Sequence, residues 1–422
     1  MNHIAVETRA GADRVPVRAR PPYGACALIG LGGLFAGVTG PLLSTFVPLL
    51  VREVLGDRRT AIGAVMAIDN VLLLALVPLA GVLFDRTAAR GGGRLSIVML
   101  GFGLAALGMA LFPQAPAFGL AGIVAAMVVL YSGINIQRSP LQALVADLVP
   151  SAHRSLATGS VLFQMCVGAI VFLMLGRALG MRTAFLVAAA TVVAIGAVMA
   201  LGIREPHRPT GSAVEATHAA IGHALRDVLG GRVPGLRAVF VATCLLQLTF
   251  QTFSTWFALH AAERFGLRGE DVAMGFIAWA IGGVIGALPA GMIGVRLGRR
   301  GAILLGFACM AATLLALSRV STFGATIPLL ALASASWTLP SVNAYPLFIE
   351  PIPRVRRGVV AALFLLSMAL GGTIGDPLNG ALFDAAGGYG PLFVLMAAYS
   401  ALACLAVLRV PRGAGEASTG VD

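Results

Sequence analysis

Apolar residues run through this chain in long blocks, and polar residues gather in short intervals between them. A helix needs about 20 mostly apolar residues to cross the hydrocarbon of a bilayer. On that rule the chain predicts twelve spans, at 23–50, 60–84, 95–112, 118–146, 155–178, 182–202, 237–261, 271–294, 301–319, 324–349, 358–383 and 388–409. The expected fold class is an all-α membrane protein, with twelve transmembrane helices in two pseudo-symmetric six-helix bundles.

The halves echo one another. The turn from Ala80 to Arg94 holds Gly81, Asp85, Arg86, Arg90 and a glycine cluster between the second and third runs. A weaker copy, from Ala290 to Arg300, carries Arg296 but has Val295 where the first copy has Asp85. The fourth run ends Pro140, Asp147, Pro150, Arg154, and the tenth ends Pro346, Glu350, Pro353, Arg357. Internal duplication of this kind is expected of a carrier built from two related halves. The predicted organisation is a cytoplasmic tail at 1–22, a six-helix bundle at 23–202, a cytoplasmic linker at 203–236, a second bundle at 237–409 and a cytoplasmic tail at 410–422.

Composition and charge agree. Only 11% of residues are charged, against about 25% in soluble domains. The net charge of +12 comes from arginine alone, since the chain has no lysine. The arginines concentrate on the side that holds both termini, which the positive-inside rule places in the cytoplasm of a multi-pass cell-membrane protein. They also suit contact with anionic lipid. No basic face interleaved with aromatics points to nucleic acid. The five cysteines are scattered through apolar runs without metal-ligand spacing. The run from Tyr23 is too long for a signal-peptide core and reads as an uncleaved first span.

Polar residues inside spans are costly and mark candidate sites. Asp69 and Asn70 fall in the second helix and Arg138 in the fourth, where an Asp69–Arg138 pair is plausible. It could be a substrate or proton site, since a carboxylate beside an arginine can switch protonation, or an ion pair that only fixes packing. In the seventh helix Gln247, Gln251, Ser254 and Thr255 share a face beside Trp256. That set suits a hydroxyl-rich ligand or hydrogen bonds between helices. Gln164, Asn343 and Tyr345 are further cavity candidates. Asp376, on one face with Asn379, is either a second protonatable site or structural.

The charges at the cytoplasmic ends, Asp85, Arg86, Arg90, Asp147, Arg154, Arg296, Glu350 and Arg357, with Gly81 at the close helix contact, read as a gate whose pairs form and break between states. No phosphate-binding glycine loop, metal cluster or nucleophile elbow occurs. The expectation is therefore neither an enzyme nor an ATP-driven pump, and no cofactor, with a transmembrane proton gradient as energy source.

The pattern G-x-x-x-D-R at Gly81–Arg86, with its following arginines, resembles the loop between helices 2 and 3 of the major facilitator superfamily. Met66–Val71, Arg138-Ser139-Pro140 and Asn343–Pro346 further resemble bacterial relatives of the sucrose-type and glycoside–pentoside–hexuronide symporters. The resemblance implies import of a sugar or glycoside with protons, or with sodium, and places Asp69 and Arg138 at the polar core. Asp376 departs from it, standing where that subgroup would have proline. The expected partners are the lipid bilayer, a small-molecule substrate and the coupling ion, and one chain could work alone as a monomer. Efflux of drug-like compounds, through a cavity lined by Phe253, Trp256, Phe257 and Trp279, is the rival reading. A transport-inactive sensor or structural protein is the other.

Overall fold

A computed structural model describes residues 23–76, 94–149, 154–203, 235–349 and 357–411. These residues are almost wholly helical, with no strand among them. We number the helices α1 (Tyr23–Leu55), α2 (Arg59–Met66, continuing past Ala67 to residue 76), α3 (Arg94–Leu111) and α4 (Gly119–Leu148). The run Arg154–Gly202 breaks at Gly180 (φ 78°, ψ 165°), a conformation that only glycine adopts readily. Its arms are α5 (154–179) and α6 (181–202). The remainder are α7 (Leu236–Phe265), α8 (Gly269–Arg296), α9 (Gly298–Leu317), α10 (Phe323–Ile349), α11 (Arg357–Ala386) and α12 (Leu392–Leu408).

Over the described residues each of the twelve apolar runs falls on one of these helices, and 77–84 of the second run lie outside those residues. Seven helical stretches of the described residues are long and apolar enough to cross a membrane, or eight with α8, which bends by 43° near Pro289. Two of the seven, Leu95–Arg138 and Gly159–Gly202, each hold two helices. Several helices overshoot the runs by a turn because their polar ends extend beyond the apolar stretch.

The helices fall into two groups that repeat one packing rule. In the first, α1 and α5 run parallel in close contact. A side chain at Gly33 would strike the Val161 carbonyl, and one at Gly37 the Met165 carbonyl. In the second, α7 and α11 do the same: Gly371 lies on the Cys244 carbonyl and Gly375 on Leu248. Hydrocarbon gives helices no hydrophobic reason to associate, so backbone-close packing over small residues supplies the contact. The groups meet where α2 packs on α11 and α5 on α8, with α1 beside α7.

The ends of the helices define two faces. The α1–α2, α7–α8, α9–α10 and α11–α12 turns share one face, as the Phe265–Phe323 contact (5.7 Å) and the Arg59 contacts below require. The opposite, terminal face holds the start of α1 and the end of α12. There Gly202 touches Leu28, and Gly235 touches Pro411.

Gly37→Val should force α1 from α5 and cost about 1–3 kcal/mol. Thermal unfolding in detergent should show a lower midpoint or loss of monodisperse protein. Gly103→Ala, where a side chain meets nothing within 4 Å, should behave as the parent.

Candidate functional site: a polar strip between the helix groups

Helix α7 is buried along most of its length, and its half-buried positions form a stripe. Cys244, Gln247, Phe250, Gln251 and Ser254 recur at helical spacing, and from Thr255 to Ala261 every residue is buried. On α1 the matching stripe is Ala36, Gly40, which faces open space, and Ser44. The Ser44 and Ser254 hydroxyls meet at 2.6 Å across the two groups. On α10, Trp337 and Ser341 are half-buried and Tyr345 is 40% exposed. These half-buried and exposed positions mark a polar strip between the two groups, on the terminal side of the serine pair.

Two carboxyl groups flank it, one from each group. Asp69 on α2 accepts a hydrogen bond from Asn135 Nδ2 on α4 at 3.2 Å. Arg138, one turn further along α4 and exposed, adds its positive charge. Asn135 was not singled out from the sequence, although it lies three residues before Arg138 on the same helical face. Asp376 on α11 is fully buried and accepts a hydrogen bond from Gln251 Nε2 at 2.9 Å. Next to it, Asn379 donates to Thr252 Oγ1 and accepts from the Tyr399 hydroxyl, each at 2.8 Å. The polar face of α7 therefore serves two ends at once. Gln247 and Ser254 lie half-buried in the strip, while Thr252 and Gln251 hold α11.

Other candidates stand elsewhere. Trp256 is fully buried and packs on Phe383 and Tyr389, away from the α7 stripe. Gln164 donates to the Ala27 carbonyl at 3.0 Å and fastens α5 to α1. Asn343 is buried between α8, α9 and α10. It donates to the Ala290 and Leu339 carbonyls and accepts from Arg299, which anchors the α8–α9 turn. Asn70 is buried against Gly372 of α11. Tyr345 meets Phe364 edge-on at 5.1 Å, and Arg296 is exposed at the end of α8. Gly81, Asp85, Arg86, Arg90 and Glu350 lie outside the described residues, as do the side chains of Asp147, Arg154 and Arg357.

A clasp on the opposite face had no counterpart in the sequence reading. Arg59 opens α2, and its side chain is only 11% exposed. Its guanidinium reaches Glu263 of α7 at 3.5 Å and Asp384 of α11 at 3.9 Å, and lies 4.8 Å over the Tyr389 ring. Burial, opposed by Arg52 and Arg59, pushes the Tyr389 phenol up to about 12. The ring therefore stays neutral and offers its face to the cation. The Asp384 carboxylate also accepts from the Arg59 and Thr60 amides, at 3.1 and 2.8 Å, and from the Thr60 hydroxyl at 2.5 Å. It caps the N-terminus of a helix in the other group, where free amides and the helix dipole favour an anion. Glu263 in turn accepts from the Tyr389 amide at 2.9 Å. Arg177 of α5 and Asp271 of α8, 3.6 Å apart, bridge the second seam between the groups. These charges sit near helix ends, so in the sequence they look like solvated topology signals.

Among the described residues, long apolar helices in two groups meet along a polar strip, an architecture that suits a multi-pass membrane protein. The sequence profile described as the Major Facilitator Superfamily matches residues 28–375 and 239–421. The chain belongs to that superfamily. Solved structures agree at the level of fold. A bacterial homologue of the human lysosomal transporter Spinster, inward-facing and unoccupied, is 15% identical, with a TM-score of 0.69 over 94% of this chain and 96% of that one. A D-xylose–proton symporter is 16% identical, with a TM-score of 0.70 over 92% and 98%. The nucleoside transporter NupG is 12% identical, with a TM-score of 0.71 over 92% and 98%. No curated protein matches the chain.

Asp384→Ala removes the cap of α2 and one partner of Arg59. A cysteine placed at Ile62, fully buried beneath the clasp, should then react about ten-fold faster with an impermeant maleimide, a loosening of about 1.4 kcal/mol. An unchanged rate would mean that the clasp does not hold this face closed.

Proposed function

We propose that this protein is a proton-coupled carrier that takes up a sugar or glycoside by alternating access. The observation that carries the reading is the placement of Asp69 near the polar strip between the groups, which we read as the wall of a substrate cavity, held by Asn135 and within the field of Arg138. A carboxyl group near an exposed arginine can exchange a proton when substrate or water changes the pairing. The substrate class is supported by what borders the cavity. Gln247, Gln251, Ser44 and Ser254 offer amide and hydroxyl groups, and the Phe250–Trp337 stack (5.2 Å between centroids) offers a flat apolar surface. A pyranose presents that combination of hydroxyl edges and an apolar face. The aromatic side chains that would favour amphipathic drugs are turned elsewhere. Phe253, Trp256 and Phe257 are buried, and Phe253 stacks on Trp279 at 4.1 Å. The fucose and D-xylose proton symporters among the similar structures accord with this reading.

In this reading the terminal face, with most of the arginines, is cytoplasmic. The tails at 1–22 and 410–422 and the linker at 203–236 lie on that side. The structure then corresponds to a carrier open to the cytoplasm and shut outside by the Arg59 clasp. Substrate leaves the cavity, the terminal face closes, and the clasp parts for the next load. The duplicated acid–arginine corners at Asp147–Arg154 and Glu350–Arg357 would form the reciprocal gate.

The test is proton flux into liposomes containing the purified protein, screened over mono- and disaccharides. An effective sugar should alkalinise the outside, equally well with choline in place of sodium. Asp69→Asn should lower the flux by at least about ten-fold, the size expected when a coupling group is lost. Absence of flux with every sugar, together with displacement of a bound lipophilic cation, would replace uptake of sugar by efflux of amphipathic compounds.

A further inference from the structure

The seam between α2 and α11 is the tightest joint between the two groups, and a carboxyl group is set into it. A side chain at Gly372 would meet Asn70, one at Gly63 the Asp376 carbonyl, and one at Gly380 the Arg59 carbonyl. The helices thus run antiparallel, nearly backbone to backbone, with Asp376 halfway along. Pro377, next in sequence, removes the backbone bond to the Thr373 carbonyl and leaves α11 easier to bend here.

Asp376 has no exposed surface, and its Oδ1 is buried with no hydrogen-bond partner, while Oδ2 accepts from Gln251. Around it α7 supplies Gln251, Thr255 and Trp256, uncharged donors that bear on the carboxylate. The ionisable groups that bear on the same space are Asp69 on α2 and Tyr131 on α4. On α10 and α12 the groups are Tyr345 and Tyr399, the latter bonded to Asn379. Arg138 bears on Asp69. The Arg59 backbone is about one turn along the seam, and its guanidinium reaches on to Asp384 and Glu263, which engage it. An ionised carboxylate held only by neutral donors, with no facing cation among the described residues and a second carboxyl group nearby, is a costly thing to bury.

We propose that Asp376 carries a proton that locks this seam, and that it is a second coupling residue on the half opposite Asp69. When the seam is parted, the carboxylate takes a proton from water at the clasp face, forming an O–H bond, and helices α2 and α11 can then close over a neutral acid. The O–H bond then breaks and the proton passes directly to water that reaches Asp376 beside Gln251 from the terminal side. The anion left behind has no cation to pair with among the described residues, and it drives the seam open again. The coupling half of this account rests on the proposed proton-driven uptake, but the seam's dependence on protonation does not.

The experiment uses spin labels at Arg58→Cys and Gly390→Cys, two exposed positions on the facing turns, in substrate-free protein without its native cysteines in lipid nanodiscs. Dipolar broadening reports the gap between the halves from pH 5 to pH 9. The ratio of closed to open protein should fall by about ten-fold or more as pH rises, since the closed form binds the extra proton. Asp376→Asn, neutral at every pH, should stay closed throughout. Asp376→Glu should restore the response, and Asp69→Asn should keep it. A pH response in Asp376→Asn equal to the parent's would overturn the proposal, as would a parent that does not respond. Full sugar-driven proton flux through Asp376→Asn would overturn its coupling role. No sugar-driven flux in the parent, with the seam response intact, would remove the uptake reading and leave the seam assignment in place.

Discussion

A carrier of this architecture must hold its two halves together in a medium that supplies no hydrophobic force between them. In this protein the task falls to the Arg59 clasp and the glycine seam beneath it. Arg59 is nearly buried, and its charge is met by two carboxylates and an aromatic face from the other half. A buried guanidinium left without those partners would be strongly unfavourable, so the clasp is strong when complete and unstable when half formed. Two-state behaviour of that kind is what a gate needs. Asp384 adds directionality, because its carboxylate satisfies the first amides of α2 only when the helices are in register.

Around that joint the same packing rule appears twice. Helix α1 on α5 and helix α7 on α11 are parallel pairs set close by glycine, and each pair supplies a helix to a seam between the groups. Rigid pairs sliding against each other along α2–α11 and α5–α8 can rock without repacking the interior of either group. The Ser44–Ser254 contact lies between the proposed cavity and the clasp, so motion that parts the clasp would also unroof the cavity.

The spans were legible in the sequence because hydrocarbon demands length and apolarity, and nothing else in the chain competes with that signal. Asp69 and Asp376 were legible as isolated charges in apolar runs. Their partners were less so. Gln251 stood out on a polar face of α7, but the face is split between the cavity and α11, and helical periodicity alone cannot tell which neighbour each side chain meets. Asn135 and Tyr131 sit among apolar residues and carry no charge to draw attention. Trp256 looked like a ligand-facing ring because it follows Thr255, yet it points into the aromatic packing around Phe383 and Tyr389. The clasp was hidden for another reason. Arg59, Glu263 and Asp384 lie up to 325 residues apart, at helix ends where charge is ordinary, and only the fold brings them together.

The central claim is a polar cavity, open at the terminal face and sealed toward the clasp, that changes sides during transport. Single cysteines placed along α7 at positions 247, 250, 254, 258 and 261, probed with an impermeant reagent from each side of a sealed membrane, test it most directly. In substrate-free protein, reaction should come from the terminal side at 247, 250 and 254, with positions 258 and 261 protected from both sides. Reaction at 254 from the clasp side alone, with the terminal side unreactive, would contradict the account.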